Sequence, residues 1–301
     1  MHEHIHRPKP NKNNKSNKRI VGAIILNFMI CLAEVIGGLL SGSLALIADA
    51  LHNFSDGMAI LISYLARKIG MRAPDSKMTF GYKRAEILAA LLNSSVIIVI
   101  SFSLFKEAYL RFKNPQDITI SLMLVVGAFG FFADLVSVYL LHPETHQNLN
   151  MRSAYLHLLG DTLSSVGVIV AGIIIYFYRF YFIDSLLTVI IGLFILIQGY
   201  QVLKQSTLIL MERVPVQIDI EEIKKKIESI PQVNSLHHTH VWQIDEQKYL
   251  FESHITLKQD MKVSEADQIR KKVEEILASD FHISHPHLQL EFSYCNNQKC
   301  E

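Results

Sequence analysis

The stretch LALIADALHNFSDGMAILISYLA, residues 44–66, decides how the rest of the chain is read. It is long enough to cross a bilayer, where about 20 predominantly apolar residues suffice for a helix, yet it carries Asp49, His52 and Asp56. A carboxylate at mid-bilayer costs about 2.5–3.5 kcal/mol on insertion scales, so such groups face a bundle interior or a hydrated cavity and usually mark function.

Outward from this stretch, polarity is unevenly spread. The chain has 301 residues, half of them hydrophobic. Charge gathers in 1–19, in 67–86 and from 211 to the end, and the intervening segments are rich in Ile, Leu, Val, Phe and Gly. Six segments of spanning length result, about 20–41, 44–66, 85–110, 118–141, 154–178 and 182–205. The expected architecture is a polytopic α-helical membrane protein with a tail (1–19), a six-helix transmembrane domain (20–207) and a small cytosolic α+β domain (208–301). The first segment runs on without a small-residue cleavage site and reads as a retained span.

Basic residues collect in short cytoplasmic loops. Arg7, Lys9, Lys12, Lys15, Lys18 and Arg19 precede the first span, and Arg67, Lys68, Arg72, Lys77, Lys83 and Arg84 surround the loop between the second and third. The opposite loops carry only Arg111, Lys113 and Arg179, so both termini are expected in the cytoplasm. A short chain without targeting signals suits a bacterial inner membrane. Cys31 reads as a packed thiol of the first span, and Cys295 and Cys300 as reduced thiols of a cytosolic tail.

The last ninety residues change period. Ile220, Ile223, Ile227 and Ile230 recur at helical spacing before Pro231. SLHHTHVWQI alternates as a strand, DEQ (245–247) turns, and YLFESHITL returns as its hairpin partner. Ser264 with Asp267 resembles a capping box opening a second helix whose stripe is Ile269, Val273, Ile276 and Leu277. HLQLEFSY supplies a third strand, giving the order αββαβ. A domain of this size is marginal alone, and dimerisation would help it.

His52 and Asp56 are four residues apart, hence one helical turn apart on one face. The fifth segment repeats the arrangement in HLLGD, as His157 and Asp161. One HxxxD pair alone is as well explained by interhelical hydrogen bonding. Two copies in the same order on separate spans point instead to two imidazoles and two carboxylates around one point, a tetrahedral set suited to zinc and related transition metals. Asp49 can share that face, as a partner for a ligand imidazole or a group at a cavity mouth. Glu34 and Asp134 are candidates to line a hydrated vestibule or pair with polar neighbours.

At these residues the chain resembles the cation diffusion facilitators, a family of zinc, cobalt and cadmium transporters. The resemblance spans about 18–293 and rests on GSLALIADALHNFSDG, TFGYKRAEILAAL, HLLGDTLSSVGV and a C-terminal αββαβ domain similar to a metallochaperone of ferredoxin-like fold. It implies a homodimer exporting Zn2+, with Cd2+ and Co2+ as further cargo, in exchange for protons. It also implies that His52, Asp56, His157 and Asp161 are the transport ligands. Arg84 and Glu212 match the family's charge interlock. His237, His254 and His285 match cytosolic zinc ligands, with His238, His240, His282 and His287 close enough in sequence to leave that assignment open. A loop site made in some relatives by an Asp and two His is expected to be missing, because Asp75 is accompanied by Met78 and Tyr82. His2, His4 and His6 offer loose metal binding or none, and the loop with His142 and His146 is short.

The partners expected are divalent metal ions, protons, the bilayer and a second copy of the chain, with no nucleic acid. Protons compete for the same imidazoles and carboxylates as the metal, which makes alternating access a proton-coupled process. The competing classes are a membrane metalloenzyme and a membrane metal sensor. An enzyme leaves a metal position open for water or substrate, whereas four matched donors close the shell. A sensor saturates at a few ions per chain, whereas a carrier turns over.

Overall fold

The computed structural model describes the backbone of residues 13–141, 149–244 and 248–292, with side chains from residue 25 onward in those segments apart from 60, 63, 140–141 and 149–157. His2, His4, His6, His142, His146, Cys295 and Cys300 lie outside the described residues, as does the side chain of His157.

Each long apolar segment forms one helix: α1 (Asn13–Ser41), α2 (Leu44–Gly70), α3 (Ala85–Lys113), α4 (Ile120–Leu141), α5 (Leu149–Tyr178) and α6 (Phe182–Leu210). Several run a turn beyond the expected limits. Arg67 and Lys68 close α2, and Arg111 and Lys113 close α3, because cations complement the unpaired carbonyls of a C-terminal turn. Among the described residues, five helices are long and apolar enough to span a membrane, and α1 adds the apolar stretch Ile25–Ser41. On α3, Leu92, Val96, Val99 and Phe102 form an exposed stripe at helical spacing, the signature of a face that meets lipid.

Small residues set the helix contacts. A Cβ on Gly37 of α1 would lie 2.5 Å from a Val126 methyl of α4, and one on Gly172 of α5 would lie 2.7 Å from Leu124. Without a hydrophobic force between helices in lipid, this close van der Waals approach is what drives association. Gly42 takes the left-handed conformation (φ 76°) that turns α1 into α2. There Ser43 Oγ accepts the Leu46 N–H at 3.2 Å and donates to Asp184 Oδ1 at 2.6 Å. The Leu44 and Ala45 N–H groups donate to the two oxygens of the same carboxylate, at 2.8 and 3.2 Å. One acid of α6 thus caps the N-terminus of α2, the helix that carries His52 and Asp56.

By contact density the chain divides into two compact units, one of residues 1–62 and 92–201 and the other of 63–91 and 202–301. In the second, α7 (Ile220–Glu228), β1 (Val233–Gln243), β2 (Tyr249–Leu257), α8 (Val263–Phe281) and β3 (His285–Glu291) follow the expected αββαβ order. The sheet order is β1-β2-β3, antiparallel then parallel. Ile223, Ile227, Leu236, Phe251, Ile255, Val273, Leu277 and Ile283 form its core.

Three local expectations are corrected. Helix α7 stops at Glu228, with Ser229 as its cap, so Ile230 lies past the helix; the residue before a proline is driven out of the helical region. Asp219 caps the other end, accepting from Glu221 and Glu222. Ser264 does not cap α8: Lys262 is the cap residue, its N–H donating to the Glu265 carboxylate at 3.3 Å. Asp267 instead pairs with Arg270 at 2.6 Å and Lys271 at 3.3 Å.

Candidate metal centre

Helical spacing brings His52 and Asp56 together as expected, with His52 Nδ1 3.5 Å from Asp56 Oδ2. From α5, Asp161 Oδ1 approaches the other ring nitrogen, Nε2, at 3.4 Å. One nitrogen or oxygen from each of the three residues lies within 4.8 Å of the others. His52 and Asp161 are 3% and 2% exposed and Asp56 is half-buried. Phe194 of α6 stands edge-on to the imidazole at 5.8 Å. His157 lies four residues before Asp161 on the same helix. One imidazole and two carboxylates are a donor set for a borderline transition-metal cation, and four such donors complete a tetrahedron.

Asp49 is buried but outside this trio. Its Oδ1 accepts from Ser164 Oγ at 2.5 Å, and Ser164 lies 2.9 Å from the Asp161 carbonyl. Asp49 therefore ties α2 to α5, the helices that carry His52 and Asp161. Glu34 of α1 accepts from Asn53 Nδ2 at 2.9 Å, and Asp134 of α4 accepts from Ser165 Oγ at 3.0 Å. Cys31 packs with its thiol 3.6 Å from the Ala50 carbonyl.

In the C-terminal unit the structure assembles a different trio from the expected one. His237 and His254 are direct cross-strand partners on β1 and β2. Glu291, at the end of β3, reaches both: Oε1 is 2.9 Å from His237 Nε2 and Oε2 is 3.7 Å from His254 Nδ1. His285 starts β3 opposite Leu250 and contacts His287. Six residues of strand, roughly 20 Å at ~3.3 Å each, separate it from Glu291. A bulge between His237 and His240 places His238 at φ 51°, its ring centroid 5.0 Å from that of His254 and 4.8 Å from that of His240. Ser253 fills the bulge, donating to the His237 carbonyl at 2.9 Å. His282 has φ 56° and serves as the left-handed cap of α8.

Asp75 is committed within its own loop. Its Oδ1 accepts from the backbone N–H groups of Lys77 (2.7 Å) and Met78 (2.8 Å), and its Oδ2 accepts from Tyr82 Oη (2.6 Å). These bonds, Tyr82's foremost, hold the Asp75 carboxyl below the usual carboxylate range, and the carboxylate pushes the Tyr82 phenol up. Arg84 Nη2 meets Glu212 Oε1 at 2.9 Å, across residues 128 apart in sequence.

Sequence reasoning missed Glu291, Asp184 and Asn53. A terminal strand acid, a first-turn acid of a helix and an amide beside a histidine carry no spacing signal. Their partners are set by strand register and helix packing.

Residues 20–211 match the family model of the cation efflux transmembrane domain, and residues 215–293 match that of the cation efflux protein cytoplasmic domain. The zinc transporter ZitB of Pectobacterium atrosepticum is 36% identical over 301 positions, covering 99% of this chain and 91% of that protein. The metal cation efflux system protein CzcD of Cupriavidus metallidurans is 37% identical over 294 positions, covering 98% and 90%. A cadmium, cobalt and zinc/H(+)-K(+) antiporter of Bacillus subtilis is 35% identical over 286 positions, covering 93% and 91%. With both family models filled in order and full-length relatives above 30% identity, the chain belongs to the cation efflux family.

Proposed function

We propose that this integral membrane protein exports divalent metal cations as an antiporter, with Zn2+ as principal cargo and Cd2+ and Co2+ as further cargo. It is a transporter and not an enzyme. The observation that carries the reading is the meeting of His52, Asp56 and Asp161 inside the spanning helices. His157 supplies the fourth donor, four residues before Asp161.

The site captures zinc from the cytosol, and the bundle then rocks so that the same four donors face outward. Metal needs neutral imidazole and ionised carboxylate, so an inward proton gradient favours release outside and resets the carrier. Both termini face the cytosol of a bacterial cell, the chain works as a homodimer, and His237, His254 and Glu291 hold a cytosolic metal ion.

The test is zinc movement into sealed liposomes loaded acidic inside. Wild type accumulates many ions per chain. Accumulation vanishes in Asp161→Ala and when the pH gradient is collapsed. Saturation at a few ions per chain would overturn the carrier reading.

A further inference from the structure

A second polar group, apart from the metal centre, meets where α1, α2, α4 and α5 approach. Asn53 donates to Glu34 and Ser165 donates to Asp134. The two pairs share one spot: a Cβ on Gly130 would lie 2.9 Å from Glu34 Oε1 and 3.6 Å from Ser165 Oγ. Both oxygens thus rest against the same bare patch of α4, one turn before Asp134. Glu34 and Asp134 are each 1% exposed.

The group is short of donors. Asp134 Oδ1 and Asn53 Oδ1 are buried without a hydrogen-bond partner among the described residues. Neither carboxyl forms an ion pair there with Lys, Arg or His. The charged groups facing Glu34 from its neighbours are Asp49 on α2, Asp134 on α4 and Asp161 on α5, and Asp134 faces Asp49 and Asp161 in turn. Cys31 of α1 lies near Glu34 as well. Buried carboxylates whose charged neighbours among the described residues are acids need a positive charge or a proton, and a proton also supplies the missing donor.

We propose that Glu34 and Asp134 form a proton site distinct from the metal ligands, which carries part of the counter-ion flux; this rests on the antiport reading above. Asn53 directly follows His52, and Ser165 lies one turn after Asp161, so the site is bonded to both ligand-bearing helices. A dication beside Asp161 and protons on Glu34 and Asp134 are alternative ways to neutralise one acidic interior. Metal loading from the cytosol releases those protons to cytosolic water. Metal departure on the far side lets the carboxyls take protons from water there.

The experiment uses the full chain in liposomes, with radioactive zinc for metal movement and a trapped pH dye for protons. The variants are Glu34→Gln, Asp134→Asn and the pair together. The double variant is expected to bind zinc at wild-type stoichiometry and still exchange zinc for zinc, while its proton-to-zinc ratio falls, by up to about one for each carboxyl removed. Infrared difference spectra are expected to lose the carbonyl stretch of a protonated carboxyl in Glu34→Gln or Asp134→Asn. A double variant that moves zinc at the wild-type proton ratio overturns the proposal, as does a wild-type ratio that follows potassium and not pH. Should the double variant fail to assemble, the near-isosteric Glu34→Gln carries the infrared readout, and retention of every carboxyl band in both single variants overturns the proposal. A wild type that moves no zinc sinks the carrier reading and this proposal together, whereas a moving wild type with unchanged ratios in the variants sinks only the proton site.

Discussion

Replacing Asp184 by alanine tests whether the cap on α2 holds the helix of His52 and Asp56 in place. The carboxylate accepts from Ser43 Oγ, the Leu44 N–H and the Ala45 N–H, and all four residues are at most 4% exposed. Hydrogen bonds to a charged group contribute about 1.5–3 kcal/mol each, and an orphaned buried donor costs about 1–3 kcal/mol. The three bonds share one acceptor group and do not add in full. Attraction to the helix N-terminus contributes up to about 2 kcal/mol more in buried geometry. The expected loss for Asp184→Ala is about 3–5 kcal/mol, or roughly 140- to 3,700-fold in the unfolding equilibrium at tenfold per ~1.4 kcal/mol. Asp184→Asn keeps one acceptor oxygen and turns a donor toward an N–H, so about 2 kcal/mol is expected. Ser43→Ala removes one bond and the Leu46 cap, with a loss of about 1–2 kcal/mol. Reversible unfolding in mixed micelles measures all three. An Asp184→Ala loss below about 1 kcal/mol, or one no larger than that of Ser43→Ala, would refute the reasoning.

Gly37→Ala should destabilise by about 1–3 kcal/mol in the same assay, since its Cβ would overlap the Val126 methyls. Gly160→Ala, where a Cβ meets nothing within 4 Å among the described residues, should gain up to about 1 kcal/mol from helix propensity. Asp75 titrates below the ordinary carboxylate range because Tyr82, Met78 and Lys77 donate to it. Its contribution to loop stability is therefore present above the ordinary value and is lost as pH falls through the depressed one. Tyr82→Phe should move that titration back up, as read by carboxyl carbon NMR of aspartate-labelled protein; an unmoved titration would discard the assigned cause. In the C-terminal unit, Glu291→Ala should weaken zinc binding by at least about 10-fold while His285→Ala leaves it unchanged. Calorimetry on the full chain checks the order, and the reverse order would restore His285 as the third donor.

How much of this was legible beforehand follows from the range of the forces. Helix α8 shows the limit of local signals: Ile269, Val273 and Leu277 line its buried face as the spacing implies, yet Ser264 and Asp267 mimic a cap that the chain makes two residues earlier, at Lys262 and Glu265. Cap motifs are short, and several overlapping registers satisfy them. The histidines of the C-terminal unit show a different limit, because similarity in residue type does not say which strand ends meet.

The amino-acid sequence by itself determined what depends on length, period and hydrophobicity. It determined six helices of spanning length, an αββαβ appendage, and His52 with Asp56 one turn apart, because helix geometry converts a spacing of four into a shared face. Tertiary structure alone decided which distant groups meet. Helix packing brought Asp161 to His52 and Asp184 to the start of α2, and gathered Glu34, Asn53, Asp134 and Ser165 at one spot. Strand register put Glu291, and not His285, beside His237 and His254. These pairings join residues up to 141 positions apart, beyond any local period, and they follow only once close-packed helices and a bulged hairpin set where each backbone lies.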